Sequence, residues 1–321
     1  MEPHHHKGNK FINPSPEFED HSFWAVIKWR WKRLFEKLPS LDPEDYHLAI
    51  SPNDGVLLAK NNPHLSLTWV GHATVYIQLD GKGILTDPIW SDRASPFSHM
   101  GPKRYTKPGI AIEDLPYLHY VVISHNHYDH LDLPTLKQLE QKFHPVFLTG
   151  LGNKPKLIDN KIKNVVELDW WQSWKKEDIS FTFTPTQHFS ARTPWDKNET
   201  LWGSFVISGS KNIYFAGDTG YFGGFKEIGK KFPIHCAILP IGAYEPRWFM
   251  KSVHLNPQES VVAFQDLGAT YMLPIHYQTF VLSDEAIDAP LKETFSHFST
   301  SGISKNRIVD LSIGETRFFK E

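Results

Sequence analysis

A short run of histidines and aspartates constrains this 321-residue chain more than any other feature. It follows the apolar stretch Tyr120–Ile123 directly, and His125, His127, Asp129 and His130 all lie within it. Side chains two positions apart at an extended strand end point the same way, so His125 and His127 can share one ion. On the turn that follows, Asp129 and His130 can face a second ion. The pattern therefore predicts a metal site built on one loop.

The alternative is a chance cluster, because 18 of the 321 residues are His. We favour the metal site, because His-x-His-x-Asp-His after an apolar strand is much narrower than a lone His, which is usually a hydrogen-bonded core residue. Two ions need further ligands, and zinc accepts imidazole and carboxylate. His188, Asp218 and His276 each end an apolar run, where sheet scaffolds place their chemistry. At this point a structural role for each of these three stays open.

These motifs resemble those of the metallo-β-lactamase superfamily: a strand-terminal Asp, a His-x-His-x-Asp-His loop, a His, a bridging Asp and a final His. All five occur here in order, and the corresponding residues are Asp87, His125, His127, Asp129, His130, His188, Asp218 and His276. The resemblance implies one ion held by His125, His127 and His188, a second held by Asp129, His130 and His276, and Asp218 bridging both. It covers roughly residues 65 to 320.

Several stretches away from the ligands resemble the N-acylphosphatidylethanolamine-hydrolysing phospholipase D group of that superfamily. They are Trp-Val-Gly-His-Ala-Thr (69–74), Gln-His-Phe-Ser-Ala-Arg-Thr (187–193), Leu-Trp-Gly-Ser (201–204), Gly-Asp-Thr-Gly-Tyr (217–221) and Gly-Ala-Tyr-Glu-Pro-Arg-Trp-Phe-Met-Lys (242–251). Phe189 departs from the Trp expected in the animal enzymes. The resemblance implies an α/β fold, the four-layer αββα sandwich. Strand signals begin near Leu65, so we assign this domain to 65–321, after an N-terminal helical extension over 1–64.

Apolar runs bounded by turn signals give an order of elements that this sandwich accommodates. The predicted strands are 65–70, 74–79, 83–86, 120–124, 146–149, 165–168, 179–184, 204–207, 213–216, 237–240, 271–275 and 308–311. The predicted helices are 133–142, 225–231, 257–266 and 284–298. Asn256 followed by Pro257 is typical of a helix start. The longest stretch without a predicted strand, 89–117, is apolar enough to form a lipid-facing wall or a subunit interface.

Charge and composition narrow the classes of partner and compartment. The net charge of −2 gives no overall basic field, so a nucleic acid partner is not expected. Cys236 is the only cysteine, which excludes an intramolecular disulfide. No apolar run has the length of a bilayer span or the form of a signal peptide, so we expect a cytoplasmic protein. The histidines at 4–6 are given no catalytic role.

The segment 22–38 combines apolar and basic residues at helical spacing. The apolar residues are Phe23, Trp24, Ile27, Trp31, Leu34, Phe35 and Leu38, and the basic ones are Lys28, Arg30, Lys32, Arg33 and Lys37. Such a helix can lie on a membrane, with its rings at the acyl boundary and its cations on anionic headgroups. The alternative is a helix that packs across the sandwich or against a second subunit of a homo-oligomer.

The chemistry follows from two divalent ions roughly 3.5 to 4 Å apart, which share a water and lower its pKa to about 7. We expect two Zn²⁺, although Mn²⁺ or Fe²⁺ would also fit. Asp129 is counted among the catalytic residues. A departing alkoxide also needs an acid, for which His254 is the candidate; the alternative is a structural His that caps the next turn. Asp87 is expected to orient a ligand imidazole from behind.

Three further residues are candidates for contact with the substrate. Arg247 and Lys251 could hold a phosphate by charge-assisted hydrogen bonds, or could be solvated surface charges. Tyr128 lies in the ligand loop itself. The leading hypothesis is hydrolysis of a phosphodiester, at best the headgroup bond of an N-acylphosphatidylethanolamine-like phospholipid. A lactonase or another small-molecule esterase or phosphodiesterase, and a non-catalytic metal-dependent sensor, are the alternatives.

Overall fold

The structure, a computed structural model, describes residues 4–15, 18, 23–40, 46, 48–60 and 64–319. The strands in this part of the chain are β1 (His6–Lys7), β2 (Lys10–Phe11), β3 (Ser66–Gly71), β4 (Thr74–Leu79), β5 (Lys82–Thr86), β6 (Tyr120–Ile123), β7 (Val146–Gly150), β8 (Val165–Leu168), β9 (Ser173–Lys176), β10 (Ile179–Thr184), β11 (Ser204–Ser208), β12 (Asn212–Phe215), β13 (Ile234–Pro240), β14 (Tyr271–Ile275) and β15 (Thr316–Phe318). The α-helices are α1 (Phe23–Lys32), α2 (Val56–Lys60), α3 (Leu133–Phe143), α4 (Lys154–Asp159), α5 (Gly224–Lys231), α6 (Arg247–Met250), α7 (Pro257–Asp266) and α8 (Ala289–Thr300).

Two mixed sheets organise the molecule. The first has seven strands in the order β15-β3-β4-β5-β6-β7-β8, and the second has six in the order β14-β13-β12-β11-β10-β9. Strands β5 to β8 run parallel, as do β12 to β14. Because β10 and β12 are both antiparallel to β11, β10 also runs in the direction of β12. The carboxyl ends of these strands therefore share one edge of their sheet, where loops can converge.

Strand β6 shows how the layers form. Its Tyr120 and Val122 face the core between the sheets, whereas Val121 and Ile123 lie on the other face against Leu136 of α3. A strand covered on both faces needs apolar residues at every position, which is why this segment does not alternate. The second sheet is covered in the same way by α5, α7 and α8. The predicted αββα sandwich is confirmed.

The start of α7 follows the predicted signal. Asn256 accepts a hydrogen bond from the Glu259 amide at 2.8 Å, Glu259 accepts one from the Asn256 amide at 3.2 Å, and Pro257 occupies the first turn. This reciprocal capping satisfies two backbone donors that a helix start leaves without partners. It also fixes the end of the loop that contains His254.

Two predicted elements differ from the structure. The strand predicted over 308–311 is wrong: Ile308 makes only an isolated bridge to Met272, and the apolar residues Ile308, Val309 and Leu311 are buried without a strand ladder. The edge strand is β15 instead. The helix predicted from Asp284 begins at Ala289, because the Glu285 carboxylate accepts hydrogen bonds from the amides of Ala243 and Glu245. The apolar residues at 308–311 reflect burial in the core, and burial alone does not make a segment a paired strand.

The described parts of the N-terminal segment lie against the sandwich. Helix α1 ends at Lys32 rather than Leu38, and Ser22 lies outside the described residues. Trp29 stacks on Phe249 at 5.1 Å and donates a hydrogen bond to Asp284. The domain boundary near residue 64 stays a prediction. Over the ranges described above, every helix is too short or too polar to cross a bilayer.

Candidate metal centre

The predicted ligands all follow strand ends at one edge of the sandwich. Asp87 comes directly after β5, and the loop 125–130 comes after β6. From the second sheet, His188 follows β10, Asp218 follows β12 and His276 follows β14. Because these strands run in matching directions within each sheet, packing the sheets face to face brings five separate segments to one place.

Three histidines form the first group of nitrogens. The Nδ1 atom of His127 lies 2.8 Å from Nε2 of His125 and 3.3 Å from Nε2 of His188. His125 donates from Nδ1 to Ser124 Oγ at 2.8 Å, and His188 donates from Nδ1 to the Val253 carbonyl at 2.9 Å. The protons held there leave lone pairs on the two Nε2 atoms, which face each other and His127. A proton on Nδ1 of His127 can bond only one of them well, whereas a cation can be bound by all three nitrogens.

The second group consists of a carboxylate and two imidazoles. Asp129 Oδ2 lies 3.2 Å from His130 Nε2 and 3.5 Å from His276 Nε2, and the two rings stack. Asp87 accepts a hydrogen bond from Nδ1 of His130 at 2.6 Å and others from Ser124. Asp87 therefore directs Nε2 of His130 into the centre, as a carboxylate behind a ligand histidine does.

Asp218 lies between the two groups. Its Oδ2 is 3.1 Å from His130 Nε2, 3.9 Å from His188 Nε2 and 4.0 Å from His125 Nε2. Its Oδ1 is 3.1 Å from His276 Nε2. All seven side chains that the resemblance implied as ligands therefore converge on one small volume, with a single carboxylate between both groups.

The donor set fits divalent cations. Nε2 of His130, Nε2 of His276 and Oδ1 of Asp218 are buried, yet they make no aligned hydrogen bond within the described part of the chain. A buried polar atom without a partner costs free energy of folding, and a bound ion would supply the partner. Imidazole nitrogens with carboxylate oxygens suit zinc and similar borderline ions. The residues therefore fit a bound metal, and the arrangement can activate water for hydrolysis.

Charges at the centre differ between the two groups. Burial, together with the neighbouring rings of His130 and His127, keeps the pKa of His125 well below its usual range. Burial lowers the pKa of His276 too, but Asp218 and Asp129 outweigh it and raise that pKa to about 9. Without cations the second group therefore carries protons that metal ions would displace, while the first is already neutral.

His254 lies at the rim of the centre. Its Nδ1 is 3.8 Å from Asp218 Oδ2, and its ring is 5.3 Å from that of His188. Arg247 donates a hydrogen bond to the His254 carbonyl at 3.0 Å and pairs with Glu259 at 2.7 Å. The Arg247 guanidinium thus fastens this loop to the start of α7, whereas Lys251 is exposed beside it.

Tyr128 is a partly exposed residue of the ligand loop. Its hydroxyl donates to the Arg192 carbonyl at 3.0 Å, and the Arg192 guanidinium lies 3.9 Å from its ring centroid. Arg192 also donates to the carbonyls of Asn126 and Leu131, which brace the loop from both sides. The sequence analysis assigns Arg192 no role, although it lies four residues after the predicted ligand His188, because the carbonyls that it contacts are more than 60 residues away in sequence.

His72 is a second residue that sequence reasoning passed over. It follows β3 in a left-handed turn, with φ of 52°, and its Nε2 lies 2.9 Å from Asp129 Oδ2. Its ring is 4.1 Å from the ring of His276. A buried histidine in the tight turn between two strands was the available signal, but its partner Asp129 is distant in sequence.

Comparisons with known proteins agree with this geometry. A family model described as "Beta-lactamase superfamily domain" matches residues 82–277. The chain is 42% identical, over 67% of its length, to "N-acyl-phosphatidylethanolamine-hydrolyzing phospholipase D 1" of Caenorhabditis elegans, of which the match covers 64%. It is 35% identical, over 87%, to the protein named "N-acyl-phosphatidylethanolamine-hydrolyzing phospholipase D, mitochondrial" of Saccharomyces cerevisiae, of which 60% is covered. The match thus spans less than two thirds of either relative.

Other similar proteins support the fold. An uncharacterised protein of Mycobacterium tuberculosis is 38% identical over 77% of this chain and 69% of its own length. A metallo hydrolase from Ignicoccus hospitalis superposes with a TM-score of 0.62 at 22% sequence identity, and the match covers 80% of this chain and 99% of that structure. An isothiocyanate hydrolase from Delia radicum gut bacteria superposes with a TM-score of 0.62 at 20% sequence identity. The match covers 79% of this chain and 99% of that structure.

Proposed function

The chain belongs to the metallo-β-lactamase superfamily, and on this premise we propose that it is a phospholipase D-type phosphodiesterase acting on N-acylphosphatidylethanolamine-like phospholipids. The observation that carries the proposal is the position of Asp218 between two complete groups of ligands. The similarity to relatives named for hydrolysis of that lipid supports the substrate class. The coarser activity, metal-dependent hydrolysis, does not depend on which lipid is cleaved.

Each group has a task in this reaction. Two divalent ions, which we take to be zinc with Mn²⁺ or Fe²⁺ as substitutes, supply activation of water and neutralisation of charge on the phosphoryl oxygens. His125, His127 and His188 would hold one ion, and Asp129, His130 and His276 would hold the other. Asp87 and Ser124 fix the rings of His130 and His125 through their Nδ1 protons. The site is thus ready for an in-line attack without a serine or cysteine nucleophile.

We assign proton transfer to His254. Its position beside Asp218 and at the rim places it between the centre and solvent. Burial, in excess of the opposing effect of Asp218, lowers its pKa to about 4. The ring can accept a proton from solvent at the rim and pass it to the departing alkoxide oxygen. Lys251 remains the exposed candidate for contact with the phosphate, whereas Arg247 acts by holding the loop.

Helix α1 offers a membrane contact close to this rim. Trp24 and Trp31 of α1 and Phe35 just beyond it are exposed by 74%, 64% and 74%, while Trp29 is directed inward onto Phe249 of α6, the helix that precedes His254. Exposed rings among lysines and arginines are typical of helices that lie at a lipid surface. The helix therefore both packs on the protein and presents an apolar face to a bilayer.

The test is hydrolysis of vesicles that contain N-acylphosphatidylethanolamine. We expect an N-acylethanolamine and phosphatidate as products. Asp218→Ala should release neither, whereas Asp159→Ala, which changes an exposed aspartate of α4, should release both normally. Product identification by mass spectrometry decides the bond that breaks. Turnover of soluble esters or lactones alone would refute the lipid activity and favour the lactonase alternative.

A second measurement separates membrane contact from chemistry. Trp24→Glu with Trp31→Glu should weaken vesicle binding and vesicle hydrolysis, while hydrolysis of soluble bis(p-nitrophenyl) phosphate stays unchanged, because neither ring reaches the centre. Leu57→Glu, an exposed apolar residue of α2, is the matched control and should behave as the parent. Equal losses with both substrates would exclude an interfacial role for α1.

A further inference from the structure

A second cluster of potential ligands lies on the N-terminal hairpin formed by β1 and β2. His5 Nε2 is 2.6 Å from Oδ1 of Asp169, and His6 Nε2 is 3.0 Å from Oδ2 of the same carboxylate. Asp169 directly follows β8 in the first sheet. One ligand atom from each of the three residues lies within 4.8 Å of the others. None of these side chains belongs to the Asp218 centre.

Apolar contacts hold both rings in position. The His5 ring stacks on Trp170 with a centroid distance of 4.3 Å, and the His6 ring meets Phe11 edge-on at 5.0 Å. Asp169 is only 8% exposed, and its Oδ1 also accepts the Trp170 amide at 2.8 Å. Ring orientation therefore does not depend on the carboxylate alone, and the two Nε2 atoms converge on one point.

We propose that His5, His6 and Asp169 form a further divalent-cation site, one that takes zinc or a similar borderline ion. Two imidazoles and a carboxylate are a donor set that zinc accepts, and three protein ligands leave a position for water. Binding requires each neutral ring to carry its proton on Nδ1 rather than Nε2, which is a change of tautomer and releases no proton. His4 and His5 also line a neighbouring cleft with a volume of 660 Å³.

An ion at this site would stabilise the N-terminal hairpin, which is linked by hydrogen bonds to the backbone of the Asp218 centre. Seven residues beyond His6, the Asn13 side chain donates from Nδ2 to the His188 carbonyl at 2.7 Å and accepts the His188 amide at 2.9 Å. The Phe11 amide donates to the Asn198 carbonyl at 2.8 Å. The hairpin is thus tied at one end to Asp169 and at the other to the backbone of a predicted ligand. A cation would strengthen the first attachment.

The alternative is a clasp of two histidine–aspartate hydrogen bonds without metal. The two differ in what Zn²⁺ alone does to the protein. Residues that form only hydrogen bonds would not bind the ion, whereas a metal site would bind Zn²⁺ through all three ligands with high affinity. The inference does not rest on the phospholipid proposal, because the cluster lies apart from the residues that would contact substrate.

The decisive experiment counts Zn²⁺ bound to the chelator-stripped full chain by equilibrium dialysis and mass spectrometry. We expect His5→Ala/His6→Ala to bind one ion fewer than the parent, and His99→Ala to bind as many as the parent. In the background His125→Ala/Asp218→Ala/His276→Ala, the ion that remains should be lost on adding the same double change. Equal counts with and without His5 and His6 would overturn the site.

A conservative change protects the test against misfolding. Asp169→Asn keeps the shape and the backbone contacts of the carboxylate, and it should weaken the affinity for this one ion by about 100-fold or more. Unchanged affinity would also overturn the proposal. In the background His125→Ala/Asp218→Ala/His276→Ala, Zn²⁺ should slow hydrogen exchange at the His188 amide through the hairpin, and adding Asn13→Ala should keep the ion but abolish that slowing. A slowing that persists would refute the link to the centre.

Discussion

The two sheets contribute to the metal centre in different ways. The seven-stranded sheet presents His125, His127, Asp129 and His130 from one loop, with Asp87 of the next strand behind it. The six-stranded sheet contributes single residues from three strand ends, and these are His188, Asp218 and His276. A local loop can hold its own geometry, whereas scattered ligands meet only when both sheets have packed. The positions of His188, Asp218 and His276 therefore depend on correct packing of both sheets.

The sharpest test of this difference is Asp218→Ala. Asp218 lies between both groups, so its loss should remove metal from both and abolish hydrolysis. His125→Ala should abolish activity while the second group keeps part of its affinity. Metal content and turnover are measured together on folded, chelator-checked protein. Full metal content in Asp218→Ala would mean that the groups are independent.

The next largest effect concerns His254, in the loop that Arg247 holds. His254→Ala should lower turnover of an alkyl phosphodiester by about 10²- to 10⁴-fold, because the alkoxide then departs without a proton. A p-nitrophenyl ester has a leaving group that needs no proton and should lose little. The ratio of the two rates is the measurement. A parallel loss with both esters would assign His254 a structural role instead.

Asp87→Asn tests the support behind the loop of the first sheet. An amide cannot accept the His130 and Ser124 protons as the carboxylate does, so metal affinity should fall about 10- to 100-fold. Competition with a chromogenic chelator gives the affinity. Asp80→Asn, which alters a carboxylate bonded to Ser210 in a distant turn, should leave it unchanged. Equal affinity in both variants would mean that the loop holds its geometry without Asp87.

The smallest effect probes the seam where the sheets meet. A Cβ on Gly217 would lie 2.4 Å from the Ser124 Cβ, and its φ is +61°. Gly268 has the same φ of +61° with open space around it. Gly217→Ala should lower the free energy of unfolding by about 1–3 kcal/mol more than Gly268→Ala, as overpacking does. Urea denaturation of both variants gives the difference, and equal losses would show that the seam yields.

The same contrast explains what the sequence could predict. The loop 125–130 is identified by its own spacing, and the single ligands of the second sheet by their place at strand ends. The His72 and Arg192 contacts could not be read in this way, because each partner lies far away in sequence. Apolar character predicted burial at Ile308 but not pairing, and α6, with four residues, is too short to show a period.

The spread of ligands across both sheets also bears on biosynthesis. The loop at 125–130 leaves the ribosome long before His276 does, and Asp218 emerges between them. A nascent chain can hold one ion loosely by its first histidines, but the shared carboxylate and the last imidazole arrive only with the second sheet. We therefore expect tight binding of metal ions only after β14 has been synthesised and the two sheets have packed. Chains that stall before β14 should be released with little bound metal.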